Sequence, residues 1–418
     1  MSESTSQIAE DLFRREGARL VATLTAHLGT HRLQLAEDVV QEAMVRALQT
    51  WPYRGIPENP AAWLTQAAKN LALDALRREQ TWRAKEAAII AESERWLTQS
   101  DAPAEAHDIT DDTLRMLFVC CHPQLSVEAQ LALALRTVCG LSPAEIGAAF
   151  LTSEAAIAKR LVRARQLIRD LRLPFAVPPA NELPPRLDGV LAALYLLFNE
   201  GYKASSGDRL IREELCHEAI RLARLLSAHS ATSHPATKAL LALMCLNAAR
   251  LRARVNPAGE IVRLHHQDRS QWDATLIREG ILALGAASSG EIMSAYHLEA
   301  GIAACHCLAA DDTSTDWARI LSLYDQLLLI KPTPVVAMNR SVALARLHGP
   351  RAGLGALESI PNRHSLESHH LYHAIRASFI AKLGHPSEAR AAYQRAAALA
   401  PCDAEREFLQ NQCERNGD

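Results

Sequence analysis

An all-α fold is predicted by three features of this 418-residue sequence. Ala and Leu dominate its composition, and both lose little conformational freedom in a helix. Apolar residues recur with helical rather than alternating period. Aromatics are only 5% of residues, and no stretch gathers Val, Ile, Thr and aromatics as strands do. The 49% apolar content supports real cores. The length suggests two to four domains.

The net charge of −2 leaves nucleic-acid binding open, because local patches decide it. No run of about 18 apolar residues occurs, so no membrane span is expected. Met1 to Glu10 is polar and lacks the apolar region of a signal peptide, which predicts a cytoplasmic location. Nine scattered cysteines, never spaced Cys-x-x-Cys, read as reduced and mostly buried thiols. No nucleophile elbow, P-loop or dinucleotide fingerprint is present, and neither enzymatic activity nor a cofactor is expected.

Three helical blocks are separable. The first covers residues 1–97. Residues 98–110 are polar and acidic with no helical period and read as a flexible linker. The second block covers 111–173. Pro174 to Pro185 then holds five prolines in twelve residues, a density that stops helices and stiffens a connection. The third block, 186–418, is helical throughout.

In the first block, Leu35 to Gln49 places Ala36, Val39, Val40, Ala43, Met44, Ala47 and Leu48 on one stripe. The other face carries Glu37, Asp38, Gln41, Glu42, Arg46 and Gln49. Trp51 to Glu58 holds two prolines and a glycine and predicts a loop. Asn59 then caps a helix with Pro60 at its first position. That helix buries Trp63, Leu64, Ala67, Ala68, Leu71, Ala75 and Leu76, and turns Gln66, Lys69, Asn70, Asp74, Arg77 and Arg78 outward, with Arg83 and Lys85 beyond. Trp51 is open to either a core or a surface role. A basic face is by itself most often a solvated one. Asn and Gln interleaved with the cations suit phosphate and base-edge contacts together.

In the second block, Ser142-Pro143-Ala144-Glu145 is a capping box opening a short helix, Pro143 to Phe150. Leu151-Thr152 makes a tight turn and Ser153 caps the next helix. Ile157, Leu161, Ala164, Ile168 and Leu171 share its apolar face. Lys159, Arg160, Arg163, Arg165, Arg169 and Arg172 occupy the rest. A short helix, a tight turn and a long basic helix make a helix-turn-helix.

These segments carry a resemblance. AEDVVQEAMVRAL, followed after an aromatic-containing segment by NPAAWLTQAAKNLALDALRRE, resembles region 2 of the sigma-70 family in its extracytoplasmic-function branch. The resemblance implies that the first helix docks on core RNA polymerase, with Asp38, Gln41, Glu42 and Arg46 facing it. It implies that Lys69, Asn70, Asp74, Arg77 and Arg78 face the −10 promoter element, while Tyr53 and Asn59 hold an unstacked base. LSPAEIGAAFLTSEAAIAKRLVRARQLIR resembles region 4, the reader of the −35 element. By that match Ser153, Glu154, Ala156, Lys159 and Arg160 sit at the major groove, and Arg163 and Arg165 grip phosphates. The turn departs from the family's Gly-Ile/Val-Ser, reading Phe150-Leu151-Thr152-Ser153, which leaves the sequence preference open. The two matches, in this order across a polar linker, reinforce each other.

The third block carries a weak internal repeat. Leu347-His348-Gly349-Pro350 and Leu383-Gly384-His385-Pro386 place their glycines 35 residues apart. Gly384, Ala389, Tyr393, Ala396 and Pro401 fall where a tetratricopeptide repeat has its turn glycine, small packing residues, aromatic and closing proline. DGVLAALYLLFNEGYKASSGD, ALLALMCLNAARLRAR and TDWARILSLYDQLL resemble the C-terminal extension of a sigma subfamily with a tetratricopeptide-like tail. That implies a tail regulating or supporting activity, with a regulatory protein as candidate partner. Gly201, in Asn199-Glu200-Gly201-Tyr202, reads as a left-handed cap ending a buried helix. His369 and His373 share a helix face, but neither carboxylate nor Cys completes a zinc set. His265 to Arg269 reads as a hydrogen-bonded turn before a ligand site. The rival to the sigma reading is a helix-turn-helix regulator with a C-terminal sensor domain, which leaves residues 35–79 without purpose.

Overall fold

A computed structural model describes residues 16–80, 111–150, 152–179, 181–204, 210–256, 259–290 and 292–415. The fold is all-α. Among the described residues there is no strand, only an isolated antiparallel bridge between Val255 and Ile261. The expected linker at 98–110, the N-terminal decapeptide, Arg83 and Lys85 lie outside the described residues. The chain divides into two compact units, Met1–Leu197 and Phe198–Asp418.

The first unit contains α1 (residues 16–28), α2 (Leu33–Arg54), α3 (Pro60–Gln80), α4 (Asp112–Cys120), α5 (Val127–Thr137), α6 (Pro143–Ala149), α7 (Glu154–Leu171) and most of α8 (Leu183–Tyr202). Local capping fixes several starts. Asp111 accepts from the Leu114 amide at 3.0 Å and Ser126 from that of Ala129 at 3.3 Å. The core draws on distant segments at once: Leu24 and Leu28 from α1, Leu64 and Leu76 from α3, Phe118 from α4 and Leu133 from α5 are all fully buried.

Two sequence expectations fail in this unit. Trp51 to Arg54 is not loop but the last turn of α2, which runs through Pro52. A proline in a helix removes the bond its own amide would give to the carbonyl four residues earlier, and its ring crowds that carbonyl. That loss is offset here by burial of Trp51, whose ring meets Trp63 edge-on at 5.6 Å. The Gly55 amide then closes the turn on the Trp51 carbonyl at 2.9 Å. The proline-rich stretch likewise ends inside a helix. Pro184 and Pro185 fall in the first turn of α8, where amides have no intrahelical partner to lose. The boundary between the units therefore falls within α8, not before it.

The second unit begins at the end of α8 and continues with α9 (Glu213–Ala228), α10 (Pro235–Ala248), α11 (Ala274–Ala287), α12 (Ala295–Leu308), α13 (Trp317–Ile330), α14 (Pro334–His348), α15 (Pro350–Glu358), α16 (His370–Lys382), α17 (Pro386–Ala398) and α18 (Asp403–Arg415). Successive helices share successive cores. Leu298, Ile320, Leu323 and Val336 join α12 to α14; Met338, Leu357, Tyr372 and Phe379 join α14 to α16; Ala377, Tyr393, Ala396 and Leu409 join α16 to α18. Each helix pair thus buries its apolar face on the next.

The beginning and end of this unit also meet. Lys203, just beyond α8, places Nζ 2.9 Å from Glu405 Oε1 on α18, and His370 Nε2 of α16 lies 3.2 Å from Glu405 Oε2. Burial works to raise the Glu405 pKa, but hydrogen bonding to His370 and the Lys203 charge outweigh it and bring it down to about 2.

Gly201 corrects a third expectation. It is not a left-handed cap but a helical residue of α8. A β-carbon there would lie 2.7 Å from the Cys216 amide nitrogen and 2.9 Å from the Arg212 carbonyl. The glycine lets α8 and the start of α9 touch backbone to backbone. The Arg212 amide bonds the Gly201 carbonyl at 2.8 Å, and the Arg212 side chain pairs with Glu200 at 3.2 Å.

Candidate nucleic-acid interface

Two surfaces of the first unit carry the residues expected to meet promoter DNA. On α3 the Asn59 carboxamide oxygen accepts from the Ala62 amide at 3.0 Å, so this side chain holds the start of the helix as well as lying exposed. The fully buried seam is Leu64, Ala68, Ala72 and Leu76, at every fourth position. Trp63, Ala67, Leu71 and Ala75 are only half-buried, a narrower seam than the periodicity predicts. Gln66, Asn70, Asp74, Arg77 and Arg78 are exposed on the opposite side, and Lys69 is half-buried. Gln66 Nε2 donates to Asn70 Oδ1 at 3.0 Å, and Arg77 lies 3.9 Å from Asp74. Tyr53, at the end of α2, is 90% exposed. An aromatic ring so exposed gains little from folding and is available to stack on a base.

On α2, Asp38, Gln41, Glu42 and Arg46 are exposed, as the polymerase-facing assignment requires. Gln34 donates to Asp38 at 2.8 Å, and Arg46 pairs with Glu42 at 3.1 Å. Glu37, read from the sequence as part of this polar face, is instead 6% exposed.

The helix-turn-helix is built by short-range bonds. Ser142 and Glu145 cap α6 reciprocally, with the Ser142 amide donating to Glu145 Oε2 at 2.7 Å and the Glu145 amide to Ser142 Oγ at 3.2 Å. Ser153 Oγ accepts from the Ala156 amide at 3.3 Å to begin α7. Gly147 is a residue whose role the sequence reading missed. The Thr152 amide bonds its carbonyl at 2.9 Å, and a β-carbon on it would sit 2.9 Å from the Thr152 oxygen. A lone glycine within a short helical pattern is the signal that could have revealed it.

Ile157, Leu161, Ala164 and Ile168 are buried on α7, with Leu171 half-buried. Ser153, Glu154, Lys159 and Arg163 are exposed, and Ala156 and Arg160 half-buried. Lys159, Arg160 and Arg163 line a recess of about 490 Å³ whose other wall is Gln124, Leu125 and Ser126 at the start of α5. Cations beside the amide-rich start of a helix suit an anionic phosphate.

Arg165 departs from this set. Its Nε lies 2.7 Å from Glu37 Oε2, with the side chains only 14% and 8% exposed. Thr137 Oγ1 donates to Glu37 Oε1 at 3.0 Å. Burial pushes the nearby Cys120 thiol well above its ordinary pKa, and the neighbouring Cys121 thiol and Glu37 carboxylate push it further. In this arrangement Arg165 is held within the protein and is not presented with Arg163.

In the second unit the His265 to Arg269 segment makes two short turns. Asp268 Oδ1 accepts from the Ser270 amide at 3.0 Å, and Arg269 Nη1 donates to the carbonyls of His306 and Ala309 at 2.6 Å each. These residues fasten helix ends. His373 Nε2 bonds the Glu367 carbonyl oxygen at 2.8 Å, while His369 lies at the N-cap just before α16, its ring stacked on that of His370 at 5.3 Å, so His369 and His373 do not share a helical face. No helix among the described residues is long and apolar enough to cross a membrane.

Comparison with known proteins agrees with this geometry. Residues 12–83 match sigma-70 region 2, residues 115–168 match sigma-70 region 4, and residues 186–288 match a family of unknown function, DUF6596. An uncharacterized protein of Rhizobium meliloti (strain 1021) is 39% identical over 382 residues, covering 91% of this chain and 89% of that protein. No solved structure matches. With region 2 and region 4 present in order, the chain carries the two domains of a sigma-70 family factor.

Proposed function

We propose that this protein binds core RNA polymerase and directs promoter recognition and opening, as a cytoplasmic factor of the extracytoplasmic-function type that makes and breaks no bond itself. The observation that carries this is the pairing of two outward faces in one unit: the exposed polar and basic side of α3 beside Tyr53, and the basic helix of a capped helix-turn-helix. Lys159, Arg160 and Arg163 take the −35 duplex, with Ser153, Glu154 and Ala156 at base edges. Lys69, Asn70, Asp74, Arg77 and Arg78 follow the −10 backbone and bases, while Tyr53 and Asn59 receive an unstacked base. Asp38, Gln41, Glu42 and Arg46 meet the polymerase.

The second unit acts as a tetratricopeptide-like regulatory domain that receives a protein partner. Support comes from its chain of shared cores and from its last helix pair. There Gly384 turns at φ +84°, and Ala389, Tyr393 and Ala396 are buried as that repeat requires.

In vitro transcription tests the reading. Purified protein added to core polymerase on promoter templates yields specific transcripts with no other sigma factor. A helix-turn-helix regulator gives none until another sigma factor is supplied, and that result refutes the proposal.

A further inference from the structure

Inside the second unit a run of arginines lies against a run of aromatic rings. The Arg250 guanidinium, just past α10, stands 5.9 Å from the centre of the Trp272 ring, and that of Arg269 stands 4.9 Å from the same centre. Arg254 covers the Tyr202 ring at 3.7 Å, and the Tyr202 hydroxyl accepts from Arg250 at 2.8 Å. The run continues through His306. Its carbonyl accepts from Arg269 at 2.6 Å, its ring meets Trp317 edge-on at 5.3 Å, and Arg346 of α14 lies 4.9 Å over Trp317. Guanidiniums from the end of α10, the turn at Arg269 and α14 thus line one continuous set of rings.

Carboxylates do not balance these cations. Asp312 pairs with Arg346 at 2.8 Å, and Glu299 of α12 pairs with Lys331 at 3.3 Å. Among the described residues Arg250 bonds only the Tyr202 hydroxyl and Asn247 Oδ1, and Arg269 only the His306 and Ala309 carbonyls and the Thr315 hydroxyl. Both Arg250 bonds leave from Nη2, so its Nε and Nη1 donors keep no acceptor there. Two buried atoms of the same run are also unpaired among the described residues: His306 Nδ1, and Trp272 Nε1 in a side chain only 6% exposed. His306 is neutral, because burial and then the charges of Arg250, Arg269 and Arg346 hold it near pKa 3. Half-buried guanidiniums without a counter-charge, beside an indole N–H without an acceptor, cost free energy unless an anion joins them.

We propose that this cluster, centred on Arg250, Arg269, Arg346 and His306, is a binding site for a small phosphate-bearing anion. The inference goes beyond the sigma reading and does not depend on it. A guanidinium is planar and donates in parallel pairs, which fits phosphate oxygens. Cations brought in by three separate segments suit a tetrahedral dianion, whose oxygens point in several directions, better than a flat carboxylate with a single charge. The indole and phenol faces hold the guanidinium planes before a ligand arrives, so little side-chain freedom is lost on binding.

Isothermal titration calorimetry and thermal melting of the full chain, with inorganic pyrophosphate as the probe, test the site. The parent binds pyrophosphate at a single site, and its melting temperature climbs with pyrophosphate concentration, whereas sodium chloride at matched ionic strength does neither. Arg250→Gln and Arg346→Gln each weaken binding about tenfold or more, through loss of a charge-assisted hydrogen bond. Arg346→Lys keeps the charge but not the fork, and falls between Arg346→Gln and the parent. Arg224→Gln removes a cation that is already paired with Glu279 at 2.6 Å, and leaves the affinity unchanged. The parent titration and the Arg346 pair decide the matter even if Arg250→Gln fails to fold. Absence of binding by the parent at millimolar pyrophosphate overturns the site. Equal weakening by Arg224→Gln does so too, because it reduces the effect to general surface charge. Succinate binding as tightly as pyrophosphate overturns the assignment to phosphate.

Discussion

Replacing Arg77 and Arg78 together with Ala removes two exposed cations from α3 while leaving its buried seam intact. Arg77 is 64% exposed and its ion pair with Asp74, at 3.9 Å, lies at the surface, so the folded state loses little. The effect on DNA is much larger. Each phosphate contact releases a counterion and adds about 0.9 to the slope of log affinity against log salt on duplex, or about 0.7 on a single strand. Two lost contacts lower affinity roughly 60-fold on duplex at 0.1 M salt, and roughly 18-fold at 0.2 M. On an opened strand the loss at 0.1 M is roughly 25-fold. Fluorescence anisotropy of labelled promoter DNA with reconstituted holoenzyme, titrated from low to high salt, reads both the affinity and the slope. An unchanged slope refutes the assignment of this face to phosphates. An equal loss of polymerase binding shows that α3, not α2, meets the enzyme.

Three further outcomes are expected. Tyr53→Ala leaves thermal stability unchanged because the ring is 90% exposed, but weakens promoter opening by about 5- to 150-fold, the equivalent of ~1–3 kcal/mol of lost base stacking; permanganate footprints equal to the parent's would rule out stacking. Gly201→Ala forces a β-carbon against the Cys216 and Arg212 backbones, costing ~1–3 kcal/mol of overpacking against ~1 kcal/mol of gained helix propensity; the urea midpoint falls, and a raised midpoint contradicts the close approach. The C-terminal unit loses stability as acidity rises. Burial, aided by Arg250, Arg269 and Arg346, holds His306 near pKa 3, and burial with His370 and Lys203 holds His369 near 4. The unfolded chain binds those protons from about pH 6.5 downward, so their stabilisation is present above that value and is lost as pH falls toward the folded values. Glu405, held near 2, adds a second loss below about pH 4.5. A melting temperature constant between pH 7 and 4 refutes this account.

The helices and most of the polar positions exposed on them were legible in the sequence because they depend on short-range chemistry. The Ser142–Glu145 box, the Asn59 and Ser153 caps and the period of α7 are all set by residues within a few positions of one another. The failures also share a cause. Pro52 stays helical because Trp51 is anchored on Trp63 of another helix, and Gly201 is helical because the start of α9 presses on it. Glu37 and Arg165 each lie off the apolar stripe of their own helix, which marks them as polar but does not name a neighbour. Their pairing joins α2 to α7 across a large sequence separation, and a local pattern carries no information about which distant charge will arrive. The sequence by itself determined the helices, their caps and the charged faces they could expose. Tertiary packing alone decided which of those charges meets solvent and which is spent inside the protein, because desolvation and pairing depend on what surrounds a side chain in space.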